Sequence, residues 1–428
     1  MITAKFKWIR LALVLLIVML TFGPWAHAQS AAAQTSPAVG IACTTGPTFT
    51  LVARSGYIQM PDMNTVFMWS YALDSGAFQH PGPILCVNQG DTVTVVLKNM
   101  DPSTSANKIN VPVSILFPGQ ENVQANGAPA QPDLANNSLT NVAMPGSSVT
   151  YSFVATRPGT FIYESGTDTK MQVSMGLFGA LIVRPTLGAN YVYNRADSQF
   201  TPSEEFLALL SEVDPYQHQA VEQGKPFNMN NYRARYWLIN GRGFPDSIAD
   251  NYASWLPSQP YGALARIYPY DSVNHPYPGV ERFINVGTEE FPFHPHANNG
   301  LMIGRDGYPL EDGGLDLSME KFAFNIGPGQ TWDVIFKWYD AEGYSPSNPV
   351  PSQLPDLVNV IIGMFYSGSP YLGQMETMPP GTNTLNQCGE YYIISHNHAL
   401  FQLDAFGQTM SGPITYLRVD PPQPNSCP

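Results

Sequence analysis

The sequence has little charge and few basic side chains. Only 12% of its 428 residues are charged, and 20 lysines and arginines stand against 33 aspartates and glutamates, which gives a net charge of −13. Electrostatic binding of nucleic acid needs a basic patch or stripe, so this composition argues against nucleic acid as a partner. Aromatic residues make up 12% of the chain, whereas a disordered chain would contain few of them.

Apolar runs long enough to span a bilayer are also lacking, and the longest apolar run stands at the N-terminus. A short basic stretch precedes the apolar residues 11–22, and Ala26 and Ala28 form the small-x-small pattern of a cleavage site. This order predicts a secretory signal peptide over residues 1–28, since a membrane anchor needs about 20 apolar residues. We therefore expect a secreted or periplasmic protein without a membrane span.

Cysteine is scarce as well. The chain contains only Cys43, Cys86, Cys388 and Cys427, and their spacing does not fit a zinc ribbon. An oxidising compartment favours disulfides between such residues. One pair lies near each end of the mature chain, so we expect the disulfides Cys43–Cys86 and Cys388–Cys427, among the three pairings that four cysteines allow.

Proline, glycine and strand-forming residues are abundant. The 39 prolines and 36 glycines separate short runs rich in Val, Ile, Tyr and Phe, a pattern typical of β-sandwiches with long loops. The outline of the first half recurs in the second, where GPGQTWDVIFKWYD resembles GSSVTYSFVATRPG and GPITYLRVDPP resembles GALIVRP. Internal similarity of this kind indicates two related all-β domains.

The repeat also suggests the domain boundaries. In chain order we expect a flexible lead-in at 29–40, a first domain at 41–188, a linker at 189–205, and a second domain with long loop insertions at 206–428. Short helices are predicted at Glu204–Glu212 and Asp316–Lys321. The clustered carboxylates of EEFLALLSEVD, residues 204–214, are expected on a solvated face.

Four of the eight histidines form two His-x-His pairs, and these are the candidate metal ligands. The pairs are His294 with His296, and His396 with His398; together they are called the four histidines below. Residues i and i+2 of a strand point to the same face, so each pair can present both imidazoles to one ion. Imidazole suits copper, zinc, iron and nickel. The alternative is that the pairs serve packing or backbone hydrogen bonding.

Four stretches carry a resemblance to a known family, namely PGPILCVNQGDTVTVVLKN, YWLINGRGFPDS, FPFHPHANNG and YYIISHNHAL. With them the chain resembles the multicopper oxidase superfamily, from about residue 48 to 421, and its length resembles that of two-domain laccases and copper nitrite reductases. The resemblance implies two cupredoxin-like Greek-key β-sandwich domains, copper as the cofactor, and a homotrimer. Active members carry four histidine motifs for a blue copper and a three-copper cluster.

The two motifs of the first domain have no histidine in this chain. Leu116 and Pro118 stand at the histidine positions of the first motif, and YESG at 163–166 replaces Tyr-His-Ser-His of the second. Glu164 is the one residue there that could ligate a metal. The blue-copper ligands of the nitrite reductases are likewise replaced, by Ser165, Gln172 and Leu177.

The two motifs of the second domain keep half of their ligands. Phe291 replaces the first histidine of the third motif and Asn397 replaces the cysteine of the fourth, while the four histidines match cluster ligands. A blue copper site needs a thiolate and two imidazoles. The resemblance therefore implies that blue copper is absent, even with Met410 at roughly the axial position.

The sequence predicts a secreted, multicopper-oxidase-like protein in which the four histidines bind one copper ion or a partial cluster. Copper is favoured over zinc because Cu(II) has the highest affinity of the divalent series. Two alternatives stay open. The protein could be a non-catalytic cupredoxin scaffold whose loops, such as residues 251–270, bind a partner. It could also be an active copper-dependent oxidoreductase of unusual site architecture. No motif identifies a substrate or a redox partner.

Overall fold

The computed structural model describes residues 39–296, 299–339, 350–353, 383–386 and 391–420. Within them the chain consists almost entirely of strands and loops. The predicted signal peptide 1–28, most of the lead-in and the predicted disulfide Cys388–Cys427 lie outside the described residues. None of the helices in the described part of the chain is long and apolar enough to cross a membrane.

Residues 43–184 form two facing sheets. Their strands are β1 Cys43–Thr45, β2 Thr48–Gln59, β3 Thr65–Leu73, β4 Ile84–Asn88, β5 Thr92–Asn99, β6 Gln124–Ala125, β7 Ala128–Pro129, β8 Ser147–Val154, β9 Gly159–Glu164 and β10 Phe178–Arg184. One sheet has the order β3-β2-β5-β8-β6-β7 and the other β1-β4-β10-β9. Alternate residues of β5, Val93, Val95 and Leu97, point into the core between the sheets.

Residues 205–419 form a second pair of sheets. Their strands are β11 Glu205–Val213, β12 Tyr236–Ile239, β13 Ala265–Ile267, β14 Gly279–Asn285, β15 Phe291–Pro295, β16 Gly300–Arg305, β17 Tyr308–Pro309, β18 Glu311–Asp312, β19 Leu315–Asp316, β20 Met319–Lys321, β21 Phe324–Ile326, β22 Thr331–Phe336, β23 Val350–Gln353, β24 Asn383–Asn386, β25 Tyr391–Asn397 and β26 Ile414–Val419. The first sheet has the order β12-β11-β14-β22-β16-β17, with β20 also on β16, and the second β13-β26-β25-β15-β21. Phe283, Phe293 and Phe324 pack between them.

Helices are short and few in the described residues. They are the α-helices α1 Thr169–Gln172 and α2 Pro215–Glu222, and the 3-10 turns Leu134–Asn136, Ala196–Ser198, Met229–Asn231, Asp246–Ile248 and Leu400–Leu403. The helices predicted at Glu204–Glu212 and Asp316–Lys321 are wrong, because strands β11, β19 and β20 occupy these segments. A short apolar run fits a buried strand as well as a buried helix, and β11 lies between two neighbouring strands.

Two of the sheets are buried on both faces, which explains their continuous apolar runs. A separate core joins β4, β9 and β10 to β11 and β14, with Ile182 and Ile284 among its members. Each of these strands therefore packs into its own sandwich on one face and against the other sandwich on the opposite face. The disulfide Cys43–Cys86 is confirmed, with a Cα–Cα distance of 5.6 Å, and it ties β1 to β4.

The carboxylates of β11 lie inside the protein, so the prediction of a solvated face is wrong. Glu205 Oε1 accepts from Arg282 Nε at 2.6 Å, and Arg184 Nη2 donates to Glu205 Oε2 at 2.7 Å. Arg282 Nη1 also lies 3.0 Å from Asp333 Oδ1. Burial opposes ionisation of Glu205, but the two guanidiniums hold its pKa below the usual value. Glu205 is tolerated because one arginine from each sandwich pairs with it, whereas Glu212 Oε1 accepts from Thr288 N and Oγ1.

The predicted all-β fold class is confirmed by the two pairs of sheets. The boundaries predicted at 41–188, 189–205 and 206–428 stay predictions.

Candidate metal centre

His294 and His396 stand on two adjacent antiparallel strands, and His296 and His398 directly follow the ends of these strands. In the register of β15 and β25, His294 lies opposite His396 and Phe293 lies opposite Asn397. The pairing continues beyond the strand ends, since His296 N donates to Ile394 O at 2.8 Å. Residues directly opposite share a face of the sheet, and so do residues two apart. The four imidazoles therefore share one face, while Phe293 and Asn397 point into the core.

The four rings form one compact cluster. His294 lies 4.8 Å from His296, 5.8 Å from His396 and 5.3 Å from His398 between ring centroids. The rings of His396 and His398 are 5.4 Å apart. The closest approach is between His296 Nε2 and His396 Nε2, at 3.0 Å. The structure thus brings together the four side chains that the sequence singles out.

Backbone carbonyls fix the tautomer of two of these rings. His294 Nδ1 donates to Phe322 O at 2.5 Å, and His396 Nδ1 donates to Asn397 O at 2.8 Å. A ring that donates from Nδ1 carries its lone pair on Nε2, and metal-bound histidines are commonly held in this way. His396 Nε2 must then accept the hydrogen bond from His296 Nε2, so the pair shares a single proton that an ion could displace.

Burial keeps His296 and His396, the inner pair of the cluster, neutral. It lowers the pKa of His396 from 6.5 to about 4, against the opposing effect of the hydrogen bond to Asn397 O. Burial, reinforced by His294 and His398, also lowers the pKa of His296. Only the neutral imidazole ligates a metal. The inner pair is consequently in its ligating form at neutral pH.

Asn397 belongs to a chain of buried amide and carboxylate groups on the opposite face of β25. Its Nδ2 donates to Gln402 Oε1, and Gln402 Nε2 donates to Glu289 Oε2 at 2.7 Å. Trp237 Nε1 donates to the same carboxylate oxygen at 2.9 Å. Phe291, which stands at another blue-copper ligand position, is fully buried in the apolar core. The groups beside the histidine strands are therefore hydrogen-bonding amides and a phenyl ring.

The first-domain motif positions lie together but carry other chemistry. Leu116 N donates to Glu164 O at 2.7 Å, and burial raises the pKa of the Glu164 carboxyl to about 7. Ser165 Oγ, at a nitrite-reductase ligand position, donates to Gln172 Oε1 at 2.7 Å. A buried hydroxyl cluster lies beside them, formed by Ser114, Ser138 and Thr167.

Three further histidines of the described residues, His80, His218 and His275, lie apart from the cluster. His80 is completely buried. His218 is also buried, with Nδ1 2.6 Å from Phe67 O and Nε2 3.1 Å from Ser174 O. His275 is half-buried in a loop.

Sequence reasoning missed three residues that support the cluster. The carbonyl of Phe322 orients His294, and its ring lies 5.9 Å from that imidazole. Gln402 and Glu289 fix Asn397 through hydrogen bonds. No motif marks any of the three, because their roles depend on how distant loops meet the strands.

Comparisons with known proteins agree on one family. A family model described as multicopper oxidase matches residues 77–187. L-ascorbate oxidase of Cucurbita maxima is 31% identical over 185 residues, which cover 42% of this chain and 28% of the relative. A probable nitrite reductase-hydroxylamine oxidoreductase fusion protein of Kuenenia stuttgartiensis is 26% identical over 284 residues, 65% of this chain and 26% of the relative. The matches thus span under a third of these relatives.

A solved structure extends the likeness over most of the chain. The blue copper oxidase from Nitrosomonas europaea superposes with a TM-score of 0.57 and 18% identity, covering 86% of this chain and 85% of the other. The chain resembles the multicopper oxidase superfamily. At this identity the superposition shows the fold, and the multicopper oxidase resemblance implies copper as the cofactor in general terms.

The inner histidine pair fits an ion in donor type and spacing. Imidazole–zinc bonds are about 2.0–2.1 Å long, so two nitrogens on one such ion lie about 2.9–3.4 Å apart between a right angle and the tetrahedral angle. The 3.0 Å between His296 Nε2 and His396 Nε2 falls in this range. In their present rotamers the side chains of the described residues form no ready site of three or more ligands. Holding an ion by more than this pair needs rotation of His294 and His398.

Proposed function

We propose that the protein is a secreted copper-binding protein of multicopper-oxidase-like fold, and that the four histidines hold one copper ion. The observation that carries the proposal is the convergence of four imidazoles from β15 and β25, with two Nε2 atoms 3.0 Å apart. Four neutral nitrogen donors favour copper over zinc on affinity.

The residues of the chain prepare this site in three ways. The carbonyl oxygens of Phe322 and Asn397 hold two imidazoles in the tautomer whose Nε2 is free to ligate. Burial keeps the inner pair neutral, so protons compete weakly with an ion at neutral pH. Copper, when bound, would supply one-electron redox chemistry. The proposal does not extend to four-electron oxygen reduction, because Asn397 and Phe291 stand where a blue copper site needs a thiolate and an imidazole.

Metal content tests the proposal directly. The secreted, signal-processed protein is loaded with copper(II), dialysed, and analysed by mass spectrometry for metal per chain. We expect about one copper per chain, and its loss in the double variant His296→Ala/His396→Ala. His275→Ala is the matched control, since it removes an imidazole outside the cluster, and it should keep the copper.

Two results would contradict the proposal. Retention of copper by the double variant would assign the metal to other residues. An absence of copper from the wild-type chain would favour the non-catalytic scaffold. Three or four coppers per chain would instead support an active oxidoreductase and call for oxygen-consumption assays.

The finer parts of the assignment stay predictions of the sequence. They are the signal peptide 1–28 with secretion, the homotrimer, and the domain boundaries at 188 and 206. Mass photometry of the processed protein, with and without copper, measures the oligomeric state.

A further inference from the structure

A cleft of about 250 Å³ opens between segments of the two sandwiches. The first sandwich contributes Pro118, Arg157 and Phe161 to its lining, and the second contributes Asp306 and Tyr308. None of the lining residues belongs to β15 or β25. Any ligand of this cleft therefore binds independently of the four histidines.

Arg157, which lines this cleft, has hydrogen-bond donors without a partner among the described residues. Its Nη2 donates to Gly119 O at 2.6 Å, while Nε and Nη1 are buried without a partner among the described residues. The guanidinium carbon lies 4.0 Å from the centroid of the Tyr308 ring. Stacking covers the faces of the guanidinium, but its N–H bonds lie in its plane, so they still need acceptors. Buried donors without acceptors cost free energy, which an acceptor in the cleft would recover.

The charge of Arg157 is not balanced by its neighbours. Asp306 is the carboxylate in the lining, but its Oδ1 accepts from Thr331 N at 2.9 Å and its Oδ2 lies 3.3 Å from Arg305 Nε. In the described part of the chain, Arg157 has no carboxylate within ion-pair distance. The guanidinium of Arg157 therefore offers an uncompensated positive charge to a ligand in the cleft.

The remaining walls are apolar or already hydrogen-bonded. Pro118 and the exposed ring of Tyr308 supply apolar surface. Thr160 Oγ1 donates to Asp333 Oδ1 at 2.5 Å, and Thr331 Oγ1 donates to Thr160 O at 2.7 Å, so neither hydroxyl donates into the cleft. The volume lies below the roughly 300–1,000 Å³ of sites for drug-sized ligands. These features suit a small molecule with one anionic head and an apolar body.

We propose that this cleft binds a small monocarboxylate with an aromatic body. Arg157 pairs with the carboxylate, whose planar shape matches a guanidinium, and Tyr308 and Pro118 contact the body. The inference does not depend on copper, so it can fail or hold separately from the proposed function.

Calorimetric titration of the metal-free chain with benzoate, acetate and inorganic phosphate tests the site. We expect benzoate to bind most tightly, and Arg157→Gln to weaken its binding at least about tenfold. Tyr308→Ala should weaken benzoate binding as well, since it removes the stacked ring. Arg233→Gln is the matched control, because Arg233 is an exposed arginine outside the lining of the cleft, with its Nη1 2.5 Å from Tyr232 O. This control should bind benzoate as the wild type does.

Four outcomes would overturn the proposal. They are the absence of benzoate binding, unchanged binding by Arg157→Gln, an equal loss in Arg233→Gln, and acetate or phosphate binding as tightly as benzoate. Thermal unfolding of Arg157→Gln checks that the variant is folded. If it is not, Arg157→Lys keeps the charge without the planar fork, and unchanged benzoate binding by that variant would also overturn the pairing.

Discussion

His296 Nε2 lies 3.0 Å from His396 Nε2, although 100 residues separate them along the chain. The pairing of β15 with β25 produces this contact, since it sets His294 opposite His396 and extends beyond both strand ends. The outer pair, His294 and His398, differs from the inner pair in exposure to solvent, because His398 is exposed.

We expect the single variants to rank by this geometry. His296→Ala and His396→Ala should weaken copper binding at least about tenfold more than His398→Ala does, because each removes half of the closest nitrogen pair. Competition with a chelator of known copper affinity measures the ranking. Equal losses in all three variants would mean that the rings rearrange completely on binding and that the present contact does not define the site.

The sequence predicted the convergence of the four histidines better than it predicted their surroundings. Two His-x-His pairs at strand spacing specify one face without any tertiary information, because the side-chain period of a strand is two residues. Gln402 and Phe322 could not be found in this way, since they reach the site from a 3-10 turn and from a loop. The helix predicted at Glu204–Glu212 failed for a related reason: strand β11 is buried on both faces and so lacks alternation.

Gln402→Ala tests the hydrogen bonds that link Asn397, Gln402 and Glu289 on the face of β25 opposite the histidines. Gln402 Nε2 donates to Glu289 Oε2 at 2.7 Å and its Oε1 accepts from Asn397 Nδ2. Removing it leaves buried polar groups unpaired, so we expect a loss of about 1–3 kcal/mol in the free energy of unfolding, measured with urea. Gln408→Ala, at a half-buried position with a long 3.4 Å contact, should change it by less than about 0.5 kcal/mol. A small effect of both variants would argue that water replaces the Gln402 side chain.

Glu281 should make the fold less stable as the pH rises. Burial raises its pKa from 4.5 to about 8, so the folded state holds the proton more tightly than the unfolded chain does. The stability that protonation provides is fully present below pH 4.5 and is lost as the pH rises through about 8. Each unit of difference between the two pKa values corresponds to about 1.4 kcal/mol.

Glu281→Gln, which cannot ionise, should therefore lose less stability than the wild type between about pH 5 and about pH 9. Urea unfolding at both pH values measures how much the free energy of unfolding changes with pH in the wild type and in Glu281→Gln. Glu320→Gln, at an exposed position on β20, is the control and should keep the wild-type slope. Parallel curves for Glu281→Gln and the wild type would mean that residue 281 is charged at neutral pH inside the fold.

Arg282→Met tests the buried ion pairs of the second sandwich, next to its contact with Thr160 of the first. Arg282 Nη1 lies 3.0 Å from both Asp333 Oδ1 and Thr160 Oγ1, and its Nε lies 2.6 Å from Glu205. Removing one partner leaves buried carboxylates without their cation, so we expect a loss of roughly 3–5 kcal/mol in the free energy of unfolding. Glu205 retains Arg184, so Asp333 should account for much of the loss.

The double variant Arg282→Met/Asp333→Leu separates pairing from packing. If the loss comes from an uncompensated buried charge, the double variant should be more stable than Arg282→Met alone, because it removes that charge as well. Arg305→Met is the control, since its ion pair with Asp306 is exposed, and it should change stability by about 0–1 kcal/mol. A double variant less stable than Arg282→Met would instead attribute the loss to the shape of the Arg282 side chain and the hydroxyl of Thr160 that it contacts.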